Sequence, residues 1–270
     1  MKITKLINLE ILKYKDNSLV QMLLLFFSLL MPTAIFVMKN MQIPMLPGAN
    51  SYFSFPQVWE YQAYSGSWLS FFFLGYLGVY LITSEIQYKT MRQNIISGMS
   101  RADFFKGKVY IAVLISLYAT LLFFISTAVI GLLHQDAYDL AEIFEKQAYV
   151  IPRFFLLTFA YMIFGMMIAY LIKKPGLSMF FYFSYILFIE PLFRWWLHIK
   201  LFGQSKWIFY YPMNAIEDLA PLPLYKYAEN FSPKKDFFVL LSYTEAASIS
   251  TVFVIIFIAI SYYFFNKRDI

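Results

Sequence analysis

The sequence contains no cysteine and only two histidines in 270 residues. Without cysteine the chain has no disulfide, no thiolate metal site and no cysteine nucleophile. The histidines, His134 and His198, fall in different segments between apolar runs, which is more typical of surface residues than of a metal-ligand pair. The motifs of zinc proteases, serine hydrolases and nucleotide-binding P-loops are absent too. We therefore expect neither a catalytic site nor a cofactor in this chain.

Charged residues are scarce as well. They make up 14% of the chain, well below the roughly 25% of soluble domains, whereas 60% of the residues are hydrophobic. This composition predicts an all-α integral membrane protein embedded in a lipid bilayer. The net charge of +6 does not indicate a nucleic-acid partner, because the basic residues cluster at the ends of apolar runs, where membrane topology accounts for them.

Apolar runs that could cross a bilayer recur along the whole chain. A helix needs about 20 mostly apolar residues to cross roughly 30 Å of hydrocarbon. The sequence predicts one transmembrane domain, residues 1–270, with six spans at about 19–38, 67–84, 109–133, 149–172, 177–193 and 246–265. The first run is longer than a signal-peptide core and no Ala-x-Ala-like site follows it, so we expect an uncleaved span.

Lysine and arginine in the short loops indicate which side faces the cytoplasm. With both termini inside, thirteen of these residues lie in inner segments and three in the short outer loops. Six more lie in the long segment 194–243, and long segments follow this rule weakly. We therefore predict that both termini are cytoplasmic.

Two segments outside the spans have patterns of their own. In residues 1–17, apolar residues that include Leu6 and Tyr14 recur at helical spacing, and lysines lie between them. This predicts an amphipathic helix in the inner interface, as opposed to an ordinary basic tail. Residues 194–243 contain several tryptophans and prolines, which favours short re-entrant helices against the outer leaflet over a further span.

The most polar connection between two spans is residues 85–108. Residues 90–96 have the spacing of a short amphipathic helix, and Gly98 is expected to end it. Ser100 is a good N-cap for a second helix, with Asp103 completing an approximate capping box. The sequence thus predicts a compact helical protrusion on the cytoplasmic side in place of a solvated loop.

Ionisable residues within the spans are rare, which disfavours an ion-coupled transporter or a channel. Glu190 is the one acidic residue near a span interior, and one interpretation is a proton or cation site. The sequence favours another, in which Glu190 lies at the outer end of its span. There Pro191 would break the helix and water would reach the carboxylate.

The 85–108 segment resembles the connection between the second and third spans in permeases of the type-2 exporter family of ABC transporters. Members show an acidic residue, a Gly-Thr-like pair, an apolar helix, and then Ser-Arg and Gly-Lys before the next span. The corresponding residues here are Glu85, Lys89–Thr90, Ser100–Arg101 and Gly107–Lys108, with lysine where glycine is common. The layout of an interfacial helix, six spans and re-entrant outer helices is also similar, as is the stretch 211–216.

The resemblance implies a transport subunit of the bacterial cytoplasmic (inner) membrane without an ATPase of its own. Two ABC ATP-binding subunits would supply ATP and magnesium, and a second permease copy, identical or related, would complete the transporter. The 85–108 segment would be the coupling helix. The residues expected at the contact with the ATP-binding subunit, at its hinge or at the following turn are Glu85, Thr90, Arg92, Gln93, Asn94, Ser100 and Arg101.

Other functions stay open at this stage. Besides the ion-coupled transporter or channel, they are a membrane-embedded enzyme and a structural subunit of a membrane-bound secretion or motility machine. An enzyme would need a convergent set of His, Asp, Glu or Ser residues, which the sequence does not suggest. The sequence predicts neither the transported substrate nor the residues that line its path.

Overall fold

The computed structural model describes residues 2–40, 52–134, 149–203, 205–223 and 240–267. Within these ranges the chain is helical and contains no β-strand, which confirms the predicted all-α class. Parts of the predicted outer segment, at 204 and 224–239, lie outside the described residues, as does the stretch 41–51 of the connection between the first two predicted spans.

The helices follow one another with short connections. In chain order they are α1 (Ile3–Tyr14), α2 (Ser18–Leu30), α3 (Val58–Gln87), α4 (Thr90–Ile96), α5 (Arg101–Leu133), α6 (Val150–Ile172), α7 (Pro175–Phe202), α8 (Pro212–Glu217) and α9 (Tyr243–Lys267). A 3₁₀ segment, Ala34–Asn40, follows α2, and another, Lys206–Tyr210, precedes α8.

Five of the described helices, α3, α5, α6, α7 and α9, are long and apolar enough to cross a membrane. Helix α2 has 13 residues, which is about 20 Å of helix and less than the hydrocarbon core. Six spans therefore remain a prediction. Helices α3 and α5 begin at Val58 and Arg101, well before the predicted spans at 67 and 109.

Helix α6 lies at the centre of the bundle and packs against α3, α5, α7 and α9. The backbones of α6 and α3 approach closely because each helix places a glycine against the backbone of the other. A Cβ atom on Gly78 would overlap the backbone of Met162, and one on Gly165 would overlap the carbonyl of Gly75. Small residues that let helix backbones approach in this way are typical of helix packing in membranes.

Two predictions were wrong: that Pro191 breaks its helix, and that water reaches the carboxylate of Glu190. Helix α7 continues through this point by way of π-helical turns at Tyr185–Ile189 and Phe193–His198, which accommodate the missing N–H of proline. Glu190 is buried, and its carboxylate accepts the backbone N–H groups of Met213 (3.0 Å) and Asn214 (2.9 Å) in the first turn of α8. The carboxylate thus satisfies donors at a helix N-terminus.

Candidate functional site

The 85–108 segment folds as the sequence predicts: a short helix, a glycine and a capped helix. Helix α4 ends in a Schellman motif, in which the N–H of Met99 donates to the Asn94 carbonyl (3.1 Å) and that of Gly98 to Ile95 (3.1 Å). Gly98 has φ of +98°, which few side chains tolerate. The hydroxyl of Ser100 then accepts the N–H of Asp103 (3.1 Å) and begins α5.

Lys89, which precedes α4, has a left-handed backbone with φ of 59° and ψ of 15°. This is the position where the resembling permeases commonly have glycine. Glycine adopts the left-handed region without the steric cost that a Cβ atom brings. The departure from the family pattern therefore places a side chain at a backbone position that favours glycine.

Helix α4 has one packed side and one open side. Met91 is buried, whereas Arg92 and Gln93 are exposed and Asn94 is half-buried. Ile96 is 75% exposed, an unusual position for an isoleucine outside a lipid contact. The open side therefore combines a cation, an amide and a large apolar group.

A group of polar residues, four of them buried and two half-buried, lies where α1, α3, α4 and α5 meet. We call it the buried charge cluster, and its members are Glu10, Lys13, Tyr14, Glu85, Thr90 and Lys108. Two lysines face two carboxylates, so the cluster is neutral overall.

Lys108 occupies the centre of the buried charge cluster, with a side chain that is 1% exposed. Its ammonium donates to Glu10 (2.5 Å), to Glu85 (2.5 Å) and to the hydroxyl of Tyr14 (2.9 Å). All three donors of the ammonium are therefore used, as a buried lysine requires. These three bonds join α5 to α1 and α3.

Glu85 connects the cluster to α4. Its Oε2 accepts the hydroxyl of Thr90, the first residue of α4, at 2.8 Å, and its Oε1 accepts Lys13 at 3.0 Å. Tyr14 in turn donates to the Leu81 carbonyl in α3 (2.9 Å). Glu85 is itself buried, so its side chain holds the hinge of α4 and is not part of the open side.

The remaining predicted site residues have separate positions. The guanidinium of Arg101 donates to the carbonyl of Asn266 (2.8 Å), which links the start of α5 to the end of α9. Ser100 is the N-cap of α5, and the Asn94 carbonyl closes the Schellman motif. The structure thus brings Glu85 and Thr90 into contact and exposes Arg92 and Gln93 to solvent. Ser100 and Arg101 lie at the start of α5, after the turn that ends α4.

Sequence reasoning missed Glu10, Lys13, Tyr14 and Lys108 as members of one site. It assigned the lysines to the positive charge of inner loops and Tyr14 to an apolar helix face. A usable signal was present, because Glu10 lies four residues from both Leu6 and Tyr14 and shares their face of α1. These three residues are the buried ones of α1.

The fold and the site together define a class of protein: an all-helical, multi-pass membrane protein with a structured helical connection at one end of its bundle. Residues 6–189 match the family described as ABC-2 family transporter protein, and the chain belongs to this family. It is accordingly the permease component of an ABC transporter and no catalytic enzyme itself, and membership implies an ABC ATP-binding subunit as partner. None of the curated proteins matches the chain.

The family match covers α1 from Leu6 onward and the whole 85–108 segment, and therefore every member of the buried charge cluster. It ends at residue 189, within α7. Helices α8 and α9 lie beyond the match, so features built from them have no counterpart in the matched part of the family.

Proposed function

We propose that this chain is the permease subunit of an ATP-driven exporter in the bacterial cytoplasmic membrane, and that the open side of α4 contacts the ATP-binding subunit. Two ATP-binding subunits and a second permease copy would complete the transporter. The observation that carries this proposal is the double role of α4. Its open side has the composition of a protein contact, and its first residue is hydrogen-bonded to the buried charge cluster.

The buried charge cluster supports a path for mechanical coupling. A displacement of α4 acts on Glu85 through the hydrogen bond from Thr90, and Glu85 is held by lysines of α1 and α5. Because separating buried, paired charges is costly, the ends of α1, α3 and α5 would move together with α4. The ATP-binding subunit would shift these helices only if its contacts with α4 differ between its own conformations.

The absence of cysteine makes the contact directly testable. We expect Arg92→Cys and Gln93→Cys, treated with a thiol-to-amine cross-linker, to form a product with the ATP-binding subunit in membranes. Lys200→Cys, exposed near the other end of the bundle on α7, is the matched control and should give no product. Equal yields at the three positions would contradict the assignment of α4.

Coupling can be measured separately from contact. Arg92→Ala should lower the affinity for the ATP-binding subunit by roughly fivefold, the effect of about 1 kcal/mol at an interface residue. It should also reduce the ATP hydrolysis of the reconstituted complex, while Lys200→Ala leaves both quantities unchanged. Unchanged affinity and hydrolysis in Arg92→Ala would refute the proposal, as would ATP turnover by the purified permease alone.

A further inference from the structure

A cavity of about 610 Å³ lies between α3, α6, α7 and the short helices that follow α7. This volume is in the range of sites that hold small molecules or part of a lipid. Its walls include aromatic side chains from three helices: Trp68 and Phe71 of α3, Tyr161 of α6 and Trp195 of α7. The cavity lies far along α3 from the buried charge cluster and has no part in the coupling path.

Arg194 is the unusual group in this cavity. Its side chain lines the cavity and is only 7% exposed. Its Nε atom has no hydrogen-bond partner among the residues that the structure describes, and its guanidinium lies 5.4 Å from the ring of Trp195. A buried charged donor without an acceptor is costly, so an anionic group entering the cavity would find a favourable position here.

Glu217, at the end of α8, supplies the opposite charge. Its side chain is exposed to the cavity and its carboxylate makes no hydrogen bond with described residues, whereas the neighbouring Asp218 is buried. Asp218 already accepts the side-chain amide of Asn214 (3.0 Å) and the N–H of Leu241 (3.0 Å). Glu217 is therefore the carboxylate that can receive a cation.

The rim of the cavity indicates where a ligand would enter. Trp68, Leu187 and Trp195 line the cavity and are also 48%, 38% and 55% exposed on the outer surface of the bundle. They belong to α3 and α7, two helices of membrane-crossing length, so in a bilayer these exposed apolar side chains would face lipid. Tryptophan favours the boundary between hydrocarbon and headgroups.

We propose that this cavity binds a phospholipid whose headgroup carries both a phosphate and an ammonium. The phosphate would contact Arg194, the ammonium would contact Glu217, and the acyl chains would leave between Trp68 and Trp195. Charges of both signs favour a zwitterion over an anion alone, and an opening towards lipid favours a membrane source over a water-soluble one. This binding does not depend on the proposed exporter function.

The test is native mass spectrometry of the 270-residue chain in detergent. We expect a phosphatidylethanolamine to bind at least tenfold more tightly than a phosphatidylglycerol, which lacks the ammonium, and than a cationic lipid without phosphate. Arg194→Met and Glu217→Gln should each weaken the binding of phosphatidylethanolamine about tenfold. Lys200→Met, exposed on the same helix and outside the cavity, should not.

Three outcomes would overturn the proposal. One is equal binding of the three lipids, and another is unchanged binding in both cavity variants. The third is equally tight binding of glycerophosphoethanolamine, the headgroup without acyl chains, which would show a water-soluble phosphoester site. Glu217→Gln replaces one oxygen of a cavity-exposed side chain with an amide nitrogen. If Arg194→Met fails to fold, lipid binding by Glu217→Gln still tests the proposal.

Discussion

Lys108 holds two carboxylates together in a buried site, and this makes it the most sensitive single residue of the described chain. A buried ion pair is not in itself strongly stabilising, because desolvation offsets most of the attraction between the charges. Removing one partner is different, since the remaining charges stay buried without compensation. Without the ammonium of Lys108, the carboxylates of Glu10 and Glu85 would share only Lys13.

We expect Lys108→Met to lower the stability of the protein by about 3–5 kcal/mol, the typical cost of breaking a buried pair. Lys106→Met, on the same turn of α5 but exposed, should change it by less than about 0.5 kcal/mol. Thermal unfolding of the detergent-purified protein measures both. Adding Glu85→Gln to Lys108→Met should recover part of the loss, and equal melting temperatures for Lys106→Met and Lys108→Met would contradict this account.

The residues that the sequence placed correctly are those whose role is local. Gly98 ends α4 and Ser100 begins α5 through bonds that span three to five residues, so a short sequence window contains the whole motif. The pairing of Glu10 with Lys108 joins residues 98 positions apart. The spacing of α1 could have placed Glu10 on the packed face, but nothing in either neighbourhood specifies that Glu10 and Lys108 pair.

At the scale of elements, α4 is bounded by two residues with positive φ, Lys89 and Gly98. Lysine in the left-handed conformation carries a steric cost of about 1–2 kcal/mol relative to glycine. The greater freedom of glycine in the unfolded chain cancels part of that gain.

Lys89→Gly should therefore stabilise α4 by about 0.5–1 kcal/mol. Lys89→Ala removes the same side chain but keeps the strain, and it is the matched control. Hydrogen exchange of the amides at 91–99 should slow by roughly two- to fivefold in Lys89→Gly and stay near the parent rate in Lys89→Ala. Faster exchange in the glycine variant would show that the turn does not hold Lys89 in a strained conformation.

Two acids at the C-terminal end of α8, Glu217 and the following Asp218, have a protonation that depends on the fold. Desolvation by the walls of the cavity raises the pKa of Glu217 to about 7, with Arg194 opposing the shift and Glu190 and Asp218 adding to it. Burial also raises the pKa of Asp218 to about 7, against the N–H of Leu241 and the charge of Arg194. Between about pH 4 and pH 7 the folded chain thus binds more protons than the unfolded chain.

These two acids should make the protein less stable as pH rises through that interval, and their effect should level off above about pH 7. Melting temperatures of the parent and of a Glu217→Gln, Asp218→Asn double variant, compared from pH 5 to pH 8, isolate this contribution. The double variant should gain relative to the parent as pH rises. A constant difference between the two proteins across this range would argue against raised pKa values for Glu217 and Asp218.

At the scale of the whole molecule, contacts along α2 bear on whether the chain crosses the membrane before α3. The amide of Asn17, at the start of α2, donates to the hydroxyl of Tyr80, and Gln62 donates to the carbonyl of Met31, just after α2. Gln62 and Tyr80 are 18 residues apart on α3, about 27 Å along its axis. Helix α2 therefore runs antiparallel to α3 along its whole length of about 20 Å.

Contacts at the two ends of the bundle agree with an antiparallel direction of α2 relative to α3. Beyond α2, Phe36 stacks on Phe53, which stacks on His134 at the end of α5. At the opposite end of the bundle, α1 contacts α5 around Lys108, and α9 ends beside Arg101. These contacts support the predicted six crossings with both ends of the chain on one side. Length and hydropathy alone do not decide whether α2 crosses the membrane, because the chain continues beyond α2 as a 3₁₀ segment and not as α-helix.

Single cysteines in this naturally cysteine-free chain test that topology. With six crossings, α1, α4 and the end of α9 share the cytoplasmic end of the bundle. The cytoplasmic positions are then Lys5→Cys, Arg92→Cys and Lys267→Cys, whereas Lys200→Cys faces outward. A membrane-impermeant thiol reagent should label only Lys200→Cys on intact cells and all four after permeabilisation, with the parent chain as the blank. Labelling of Lys5→Cys on intact cells would mean that α2 does not cross, and the antiparallel contacts of α2 with α3 would then need another explanation.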